Sequence, residues 1–306
     1  MASKLHAVLT LGRISNLPTI WTNCLAAWVL NQLGREIPLF ELPSADIANT
    51  LVYEPMLWLW ILIGASLLYV AGTTLNDAFD EDFDRKHNTD RPIPAGVLAT
   101  WQVWVIGIAE MLGGAGILYF NAGVSPLYLG LLCLAILSYD AVHKKWSGSV
   151  LLMGACRLFL WWTIATAGAG GVSDLSPLVL VWSTALLLYI AGITFVARGE
   201  ATGHFPTLPW PFVCLFVHVI LGFFFCLYGS RWVTLLFVLP MIYGIYKGIT
   251  HARRKGPGIG QGVALWLALI TLGDAIAISL LVPGWGLALA VCYPICMWMQ
   301  KHFAAT

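Results

Sequence analysis

The sequence predicts an all-α fold: a polytopic transmembrane helical bundle of nine to ten spans, with two pseudo-repeated four-helix units around a central cavity. Three observations carry that expectation. Of 306 residues, 59% are hydrophobic and only 10% charged, whereas soluble domains carry about 25% charged residues. The apolar residues gather into runs of membrane-span length, and the basic residues fall almost entirely on alternate loops. A net charge of +1 says nothing about nucleic acid, but no basic patch of binding-domain size appears, so no nucleic-acid partner is expected, and nothing in the pattern demands an obligate protein partner.

A hydrocarbon core of about 30 Å needs about 20 apolar residues per helix. Runs of this kind cover 18–34, 54–76, 99–120, 122–139, 149–169, 177–197, 208–228, 231–249, 261–281 and 284–300. Only Val282, Pro283 and Gly284 separate the last two, which leaves nine or ten crossings open. Each run must be helical, because a lone segment in lipid has to satisfy its own backbone polar groups. The stretch before Pro18 is mildly polar and lacks a small-residue cleavage site, so the first apolar run is expected to be a retained helix. Seven cysteines lie inside apolar stretches without a CxxC pair, which fits buried thiols rather than a disulfide framework or a zinc site.

The 16 Lys and Arg residues give the orientation. Lys4, Arg13, Arg85, Lys86, Arg91, Lys144, Lys145, Arg198, Lys247, Arg253, Arg254, Lys255 and, with ten spans, Lys301 fall on one side. Arg35 and Arg231 fall on the other, and Arg157 lies within a span. By the positive-inside rule the amino terminus and the basic loops face the cytoplasm. The expected setting is the lipid bilayer of a bacterial-type plasma membrane.

A repeat locates a site. Residues 67–74 read Leu-Leu-Tyr-Val-Ala-Gly-Thr-Thr and residues 187–194 read Leu-Leu-Tyr-Ile-Ala-Gly-Ile-Thr, an offset of 120. Both copies fall at the same ends of spans 2 and 6, as a duplicated four-helix unit requires, with halves at roughly 1–140 and 141–260. Repeats in membrane proteins frame binding sites at their interface. The first copy runs into Asn76-Asp77-Ala78-Phe79-Asp80-Glu81-Asp82-Phe83-Asp84. At about 100° per residue, Asn76, Asp80 and Asp84 share one stripe, with Asp77 beside them. Stacked carboxylates repel, and a divalent cation relieves that repulsion. Oxygen donors at this density suit Mg²⁺, which keeps some waters and shares its shell with substrate phosphates. The offset maps Asp80 onto Glu200, a single carboxylate opposite the first cluster, while Asn76 maps onto Val196.

Asn76-Asp77-x-x-Asp80-x-x-x-Asp84, followed by Asp90-Arg91-Pro92-Ile93-Pro94-Ala95-Gly96, resembles the UbiA superfamily of intramembrane prenyltransferases. Gly12-Arg13-Ile14-Ser15-Asn16 is similar to the start of that family's first helix. Tyr139-Asp140 with Lys144 and Lys145, then Met153-Gly154-Ala155-Cys156-Arg157, is similar to its span 4–5 region. The resemblance implies a cavity closed by cytoplasmic loops, in which Mg²⁺ on two acidic motifs grips a prenyl diphosphate. The prenyl group passes to a small acceptor, commonly aromatic. It assigns Asn76, Asp80 and Asp84 as metal ligands, with Glu200 in the second motif, and Asp77 in support. The second motif departs from the usual pair of Asp four apart, with Val196 and Glu200 in those positions. Phe195-Val196-Ala197-Arg198-Gly199-Glu200 most resembles a divergent EboC-like branch, for which a cyclitol-like acceptor is conceivable.

Departure of diphosphate from an allylic carbon needs its growing charge neutralised. Arg91, Lys144, Arg157 and Arg198 are the cations on hand for its oxygens, and Arg157 stands out because an ionised side chain inside a span is functional by default. Aromatic faces can shield and stabilise the allylic cation: Tyr69, Tyr139 and Tyr189 lie near the same helix ends. Tyr139 is the catalytic candidate among them, and Asn16, Tyr69 and Tyr189 are acceptor or cavity candidates. Glu110 and Asp274 either line the cavity or bond across helices, and His218 is expected to be a satisfied buried polar group. Asp77, Asp140 and His143 are the candidates for a base. The alternative reading is a non-catalytic protein that binds or moves a prenyl lipid. A transporter fits less well, since the acids cap a helix instead of lying at the bilayer midplane. The Asp-Gly-x-x-Ala-Arg signature of phosphatidyl-alcohol transferases is absent from the sequence.

Overall fold

A computed structural model describes residues 11–35, 54–89, 91–169, 173–199, 208–229 and 232–303. Among these residues the chain is helical throughout, and each expected span is a helix or a pair of helices in line. After a 3-10 turn at Ile14–Asn16 come α1 (Leu17–Gly34), α2 (Pro55–Phe79), α3 (Glu81–His87), α4 (Thr100–Phe120), α5 (Pro126–Val142) and α6 (Ser149–Ala165). Then follow α7 (Pro177–Ala197), α8 (Trp210–Leu215), α9 (Val217–Gly229), α10 (Leu235–Ala252), α11 (Pro257–Ala268), α12 (Ile270–Ser279) and α13 (Pro283–Met299). Five helical segments, counting α11 with α12 and α10 with the turn before it, are long and apolar enough to cross a membrane by themselves.

Proline opens many of these helices. It holds the first or second position of α1, α2, α5, α7, α11 and α13, where its missing N–H has no intrahelical partner to lose and its φ is already helical. Short α3 is stabilised by charge order. Glu81, Asp82 and Asp84 fill its first turn and Arg85, Lys86 and His87 its last, complementing the helix dipole at both ends. The break between α8 and α9 is a single residue, Phe216, whose N–H bonds back three residues to Val213.

The gap between the last two apolar runs is a true reversal. From it α13 returns to the beginning of α1, where the Cys296 thiol reaches the Ser15 carbonyl at 3.3 Å and the Gln300 amide nitrogen reaches Asn16 at 3.4 Å. That makes ten passes among the described residues. Central α1 touches α2, α6, α7, α12 and α13, and every residue of α12 is buried. Asn31 ties the far ends of three helices together, donating to the Ala165 carbonyl (2.7 Å) and accepting from the Ser176 N–H (2.8 Å).

The exterior is apolar. Trp101, Leu112, Phe120, Leu134, Leu239 and Tyr246 are all exposed, whereas Asn23, Asn31, Ser183 and Asp274 are buried. In water such a surface would be an aggregation liability; in a bilayer it faces a solvent of its own kind. Lipid offers no hydrophobic drive between helices, so close backbone approach at small residues has to hold them. One such seam joins α2 and α4. A Cβ on Gly114 would meet the Gly64 carbonyl oxygen at 2.8 Å and the Leu68 nitrogen at 2.9 Å. Gly114→Leu is therefore expected to destabilise the bundle by about 2–3 kcal/mol, read as a lower melting temperature in detergent. Gly116→Leu, on the same helix but opening onto free space, should leave that temperature unchanged.

Candidate active site

Helix α2 ends at Phe79, and Asp80 is both its C-cap and the N-cap of α3. The hydrogen-bond ladder runs on through this bend: the Asp80 N–H donates to the Asn76 carbonyl (2.9 Å) and the Asp84 N–H to the Asp80 carbonyl (2.8 Å). The i, i+4 spacing thus survives, and Asn76, Asp80 and Asp84 keep to one stripe. That stripe is turned inward. Asn76, Asp77, Asp80 and Asp84 are all buried, while Asp82 on the opposite face of α3 is exposed.

Burying carboxylates demands partners, and each has one. One Arg91 nitrogen donates to Asp77 and to Asp84, both at 2.9 Å. Arg13 stands 3.8 Å from Asp77. A single Asp80 oxygen faces His143 Nε2 and Lys144 Nζ, each at 3.2 Å. Burial raises the Asp80 carboxyl, but His143 and Lys144 outweigh burial and hold it below the usual range. The Asn76 amide donates to Asp140 Oδ1 at 3.0 Å. The second oxygen of Asp140 is buried with no hydrogen-bond partner among the described residues. Arg13 adopts a left-handed backbone (φ 42°, ψ 46°), which costs about 1–2 kcal/mol for a residue with a side chain. Strain of this kind clusters at functional sites.

Beneath these charges lies a cavity of about 340 Å³, within the size range of small-molecule pockets. Arg13, Asn76, Arg91 and Asp140 stand at its polar mouth. Asn16, Tyr69, Tyr139 and Arg157 also line it, and Ala65, Leu68, Ile136, Leu160, Ile190 and Val263 supply apolar wall.

Not every candidate from the sequence joins this cavity. Helix α2 presents Tyr69, Gly72, Thr73 and Asn76, whereas α7 presents Ile190, Ile193, Thr194 and Ala197. The second row follows the first at an offset of 121, one residue later than the sequence match. One residue is about 100° of helix, so Tyr189 is turned away from the cavity, contrary to expectation. It is fully buried, its hydroxyl donates to the Trp266 carbonyl (2.8 Å), and its ring meets His218. Arg198 differs from its expected role as well. Its guanidinium donates to the carbonyls of His143 and Trp146 and to the Ser149 hydroxyl, tying down the turn between α5 and α6. Lys144 sits at the rim, over the Phe83 ring (4.1 Å). Tyr139 stacks on His143 with ring centroids 4.9 Å apart. Glu200 lies outside the described residues.

Of the two intramembrane acids, Asp274 bonds across helices, both its oxygens accepting from Asn23, whereas one oxygen of Glu110 on α4 is buried with no hydrogen-bond partner among the described residues. His218 departs from the expected satisfied group: its Nδ1 is buried with no partner among the described residues. Two residues at the site escaped sequence reasoning. Arg13 had counted only as an orientation charge, although it belongs to the Gly12–Asn16 motif. Asn23, a polar residue inside an apolar span, was the available signal for the second.

Fold and site together define a polytopic membrane protein whose helical bundle encloses an apolar, ligand-sized cavity with a charged mouth. The chain belongs to the UbiA prenyltransferase family, whose family model matches residues 42–270. Among curated proteins, it is 29% identical over 173 residues to 2-acylphloroglucinol 4-prenyltransferase of Humulus lupulus, covering 55% of this chain and 40% of that one. It is 30% identical over 136 residues to protoheme IX farnesyltransferase of Cereibacter sphaeroides, covering 41% and 42%. With the protoheme IX farnesyltransferase of Opitutus terrae the figures are 29% over 172 residues, 51% and 55%. The chain thus spans about half the length of the curated relatives it matches. Two solved structures share the fold over most of their length. An apo UbiA homolog from Aeropyrum pernix K1 superposes with a TM-score of 0.61 at 14% identity, covering 95% of this chain and 100% of that one. A digeranylgeranylglyceryl phosphate synthase does so with a TM-score of 0.57 at 16% identity, covering 90% and 97%.

Proposed function

We propose that this chain is a prenyltransferase that moves the prenyl group of a prenyl diphosphate onto a small aromatic or cyclitol-like acceptor inside the membrane. One juxtaposition carries the reading: Arg13, Asn76, Arg91 and Asp140 line the mouth of a largely apolar cavity, and buried Asp77 and Asp84 pair with those arginines just outside its lining. A prenyl diphosphate has that same polarity, a charged head on a greasy tail. Arg13 and Arg91 at the mouth, with Lys144 at the rim, bind the head, and the apolar wall takes the tail.

The donors fit Mg²⁺. Asn76, Asp80 and Asp84 offer hard oxygens on one stripe, and the unpartnered oxygen of Asp140 lies beside them. Among the described residues no three His, Cys, Asp or Glu side chains converge as a ready metal cage. Mg²⁺ does not need one, because it keeps waters and binds through one or two carboxylates plus substrate phosphates. Asn76, Asp80 and Asp84, with Glu200 from the second motif, would hold it, and Asp77 would steady Arg91. Bound there, the metal supplies Lewis-acid neutralisation of the departing diphosphate. The residues of the chain do the rest. Arg91 and Lys144, now paired with carboxylates, have the diphosphate oxygens as their alternative partners. The Tyr69 and Tyr139 rings line the cavity and would shield the allylic centre from water. In this reading the mouth and the amino terminus face the cytoplasm, and the two halves of the repeat clasp the cavity between them.

Asp77, Asp80 and Asp84, each paired with a cation, also suit a non-catalytic prenyl-lipid binder, and one assay separates the two. Purified protein is incubated with Mg²⁺, with geranyl, farnesyl or geranylgeranyl diphosphate, and with a pool of phenolic and cyclitol acceptors. The expected result is release of diphosphate and an acceptor heavier by one prenyl group, abolished by EDTA and restored by Mg²⁺. Binding of the diphosphates without any release would favour the binder.

A further inference from the structure

Charge is most unbalanced in the last third of the chain. Beyond residue 200 the sequence holds six Lys and Arg against one acid, Asp274, which is buried and bonded to Asn23. Four of the six, Lys247, Arg253, Arg254 and Lys255, crowd onto the end of α10 and the turn that follows it. All four are exposed, and among the described residues none has a carboxylate within 4.0 Å. Successive passes alternate in direction, so this end of α10 lies on the same side of the bundle as the end of α2 and the polar mouth. Exposed Tyr246 on α10 and Trp210 at the start of α8 lie near this end, where amphipathic rings settle at the level of lipid headgroups. A groove opens between the two helices. Helix α8 packs on α7, and α10 packs on α11, which leaves a gap of about 300 Å³ between α8 and α10. Pro209, Phe212, Val213 and Phe216 form one wall at helical spacing, and Ile249 and, one turn on, Arg253 form the other. The helices run in opposite directions, so Pro209 and Arg253 share the outer end, and Phe216 lies about 10 Å deeper along α8. The groove is thus apolar along its length with a single cation at its lip.

We infer that the groove between α8 and α10 binds one anionic phospholipid, its phosphodiester on Arg253 and one acyl chain laid along Phe212, Phe216 and Ile249. Charge complementarity selects this occupant. A phosphodiester accepts from the guanidinium fork in the geometry that suits it, and basic pockets between membrane helices take anionic headgroups in this way. A zwitterionic headgroup would bring a cation among Lys247, Arg254 and Lys255, with no carboxylate of the described residues to receive it. The site shares no lining residue with the central cavity and does not rest on the prenyltransferase reading. Its place in the fold gives it an effect. Helix α8 is packed on α7, whose inner face lines the cavity, so a lipid that ties α8 to α10 braces that wall from the bilayer side.

Native mass spectrometry of the purified full chain measures the Kd of the first lipid bound, for dioleoyl phosphatidylglycerol and for dioleoyl phosphatidylcholine. The wild-type protein is expected to bind phosphatidylglycerol about fivefold or more tightly, the scale of one basic residue at an anionic membrane surface. Arg253→Gln should remove most of that preference. Arg254→Gln, an equal change of charge outside the groove lining, should keep it. Val213→Trp fills the groove from a position that is 60% exposed, and should weaken phosphatidylglycerol binding with every basic residue still in place. Melting curves in detergent establish that each variant is folded, and the comparison of the two lipids on wild-type protein stands without any variant. Equal affinity of wild-type protein for the two lipids overturns the inference. So do equal losses in Arg253→Gln and Arg254→Gln, the mark of a diffuse surface charge, and undiminished binding by folded Val213→Trp. Displacement of the phosphatidylglycerol by an equal concentration of farnesyl diphosphate would assign the groove to a prenyl diphosphate and overturn it as well.

Discussion

Asp80→Ala and Asp84→Ala should each lower Mg²⁺-dependent diphosphate release by about 100- to 1000-fold, the loss typical when one preorganised group that meets transition-state charge is removed. The geometry makes these positions separable from their neighbours. Asp80 and Asp84 are 4% and 1% exposed, whereas Asp82, between them in sequence, points outward on α3. Asp82→Ala should therefore turn over at the wild-type rate. If the cluster were only a solvated acidic loop, the three substitutions would behave alike, and that result would remove the metal role. Folding does not confound the comparison. Loss of Asp80 frees Lys144, which is 40% exposed, and loss of Asp84 leaves Arg91 its bond to Asp77. Comparable melting temperatures for all three variants would place the loss in chemistry.

The bundle was legible because hydropathy and proline placement are local signals. Span boundaries fall within a few residues of the helices, but the reversal near Pro283 stayed open, because a proline does not by itself end a helix in this chain: Pro240 and Pro294 lie inside α10 and α13. The mouth was legible for the same reason: i, i+4 spacing survives the bend at Asp80, so a stripe drawn on paper is a stripe in the fold. What resisted was rotation. The repeat aligned Tyr189 with Tyr69, and nothing in the letters says that α7 turns one residue further before it meets the cavity. Arg198 was misplaced on similar grounds. Its position at a helix end is readable, but its choice of two carbonyls over the cavity depends on how α5 and α6 join. Asn23 and Asp274 lie 251 residues apart, a pairing that only tertiary packing creates.

Ala65→Trp should separate long prenyl donors from short ones. Ala65 lies on α2, one turn beyond Tyr69 and eleven residues from Asn76, which is about 16 Å along the helix axis. It lines the cavity and is 1% exposed to the outside, so an indole there projects into the space beyond the polar mouth and not into lipid. A short tail that stops before Tyr69 never reaches it; a longer one must lie against it. The expected outcome is a fall in kcat/KM for geranylgeranyl diphosphate on the order of 100-fold, the scale on which pockets discriminate apolar groups by size, with geranyl diphosphate little changed. Because the side chain fills existing space, the stability loss should stay within the roughly 1–3 kcal/mol usual for overpacking. Equal losses for both donors would mean that the tail leaves the mouth by another path, between helices toward the lipid. Discrimination by length would tie the depth of this cavity to the donor.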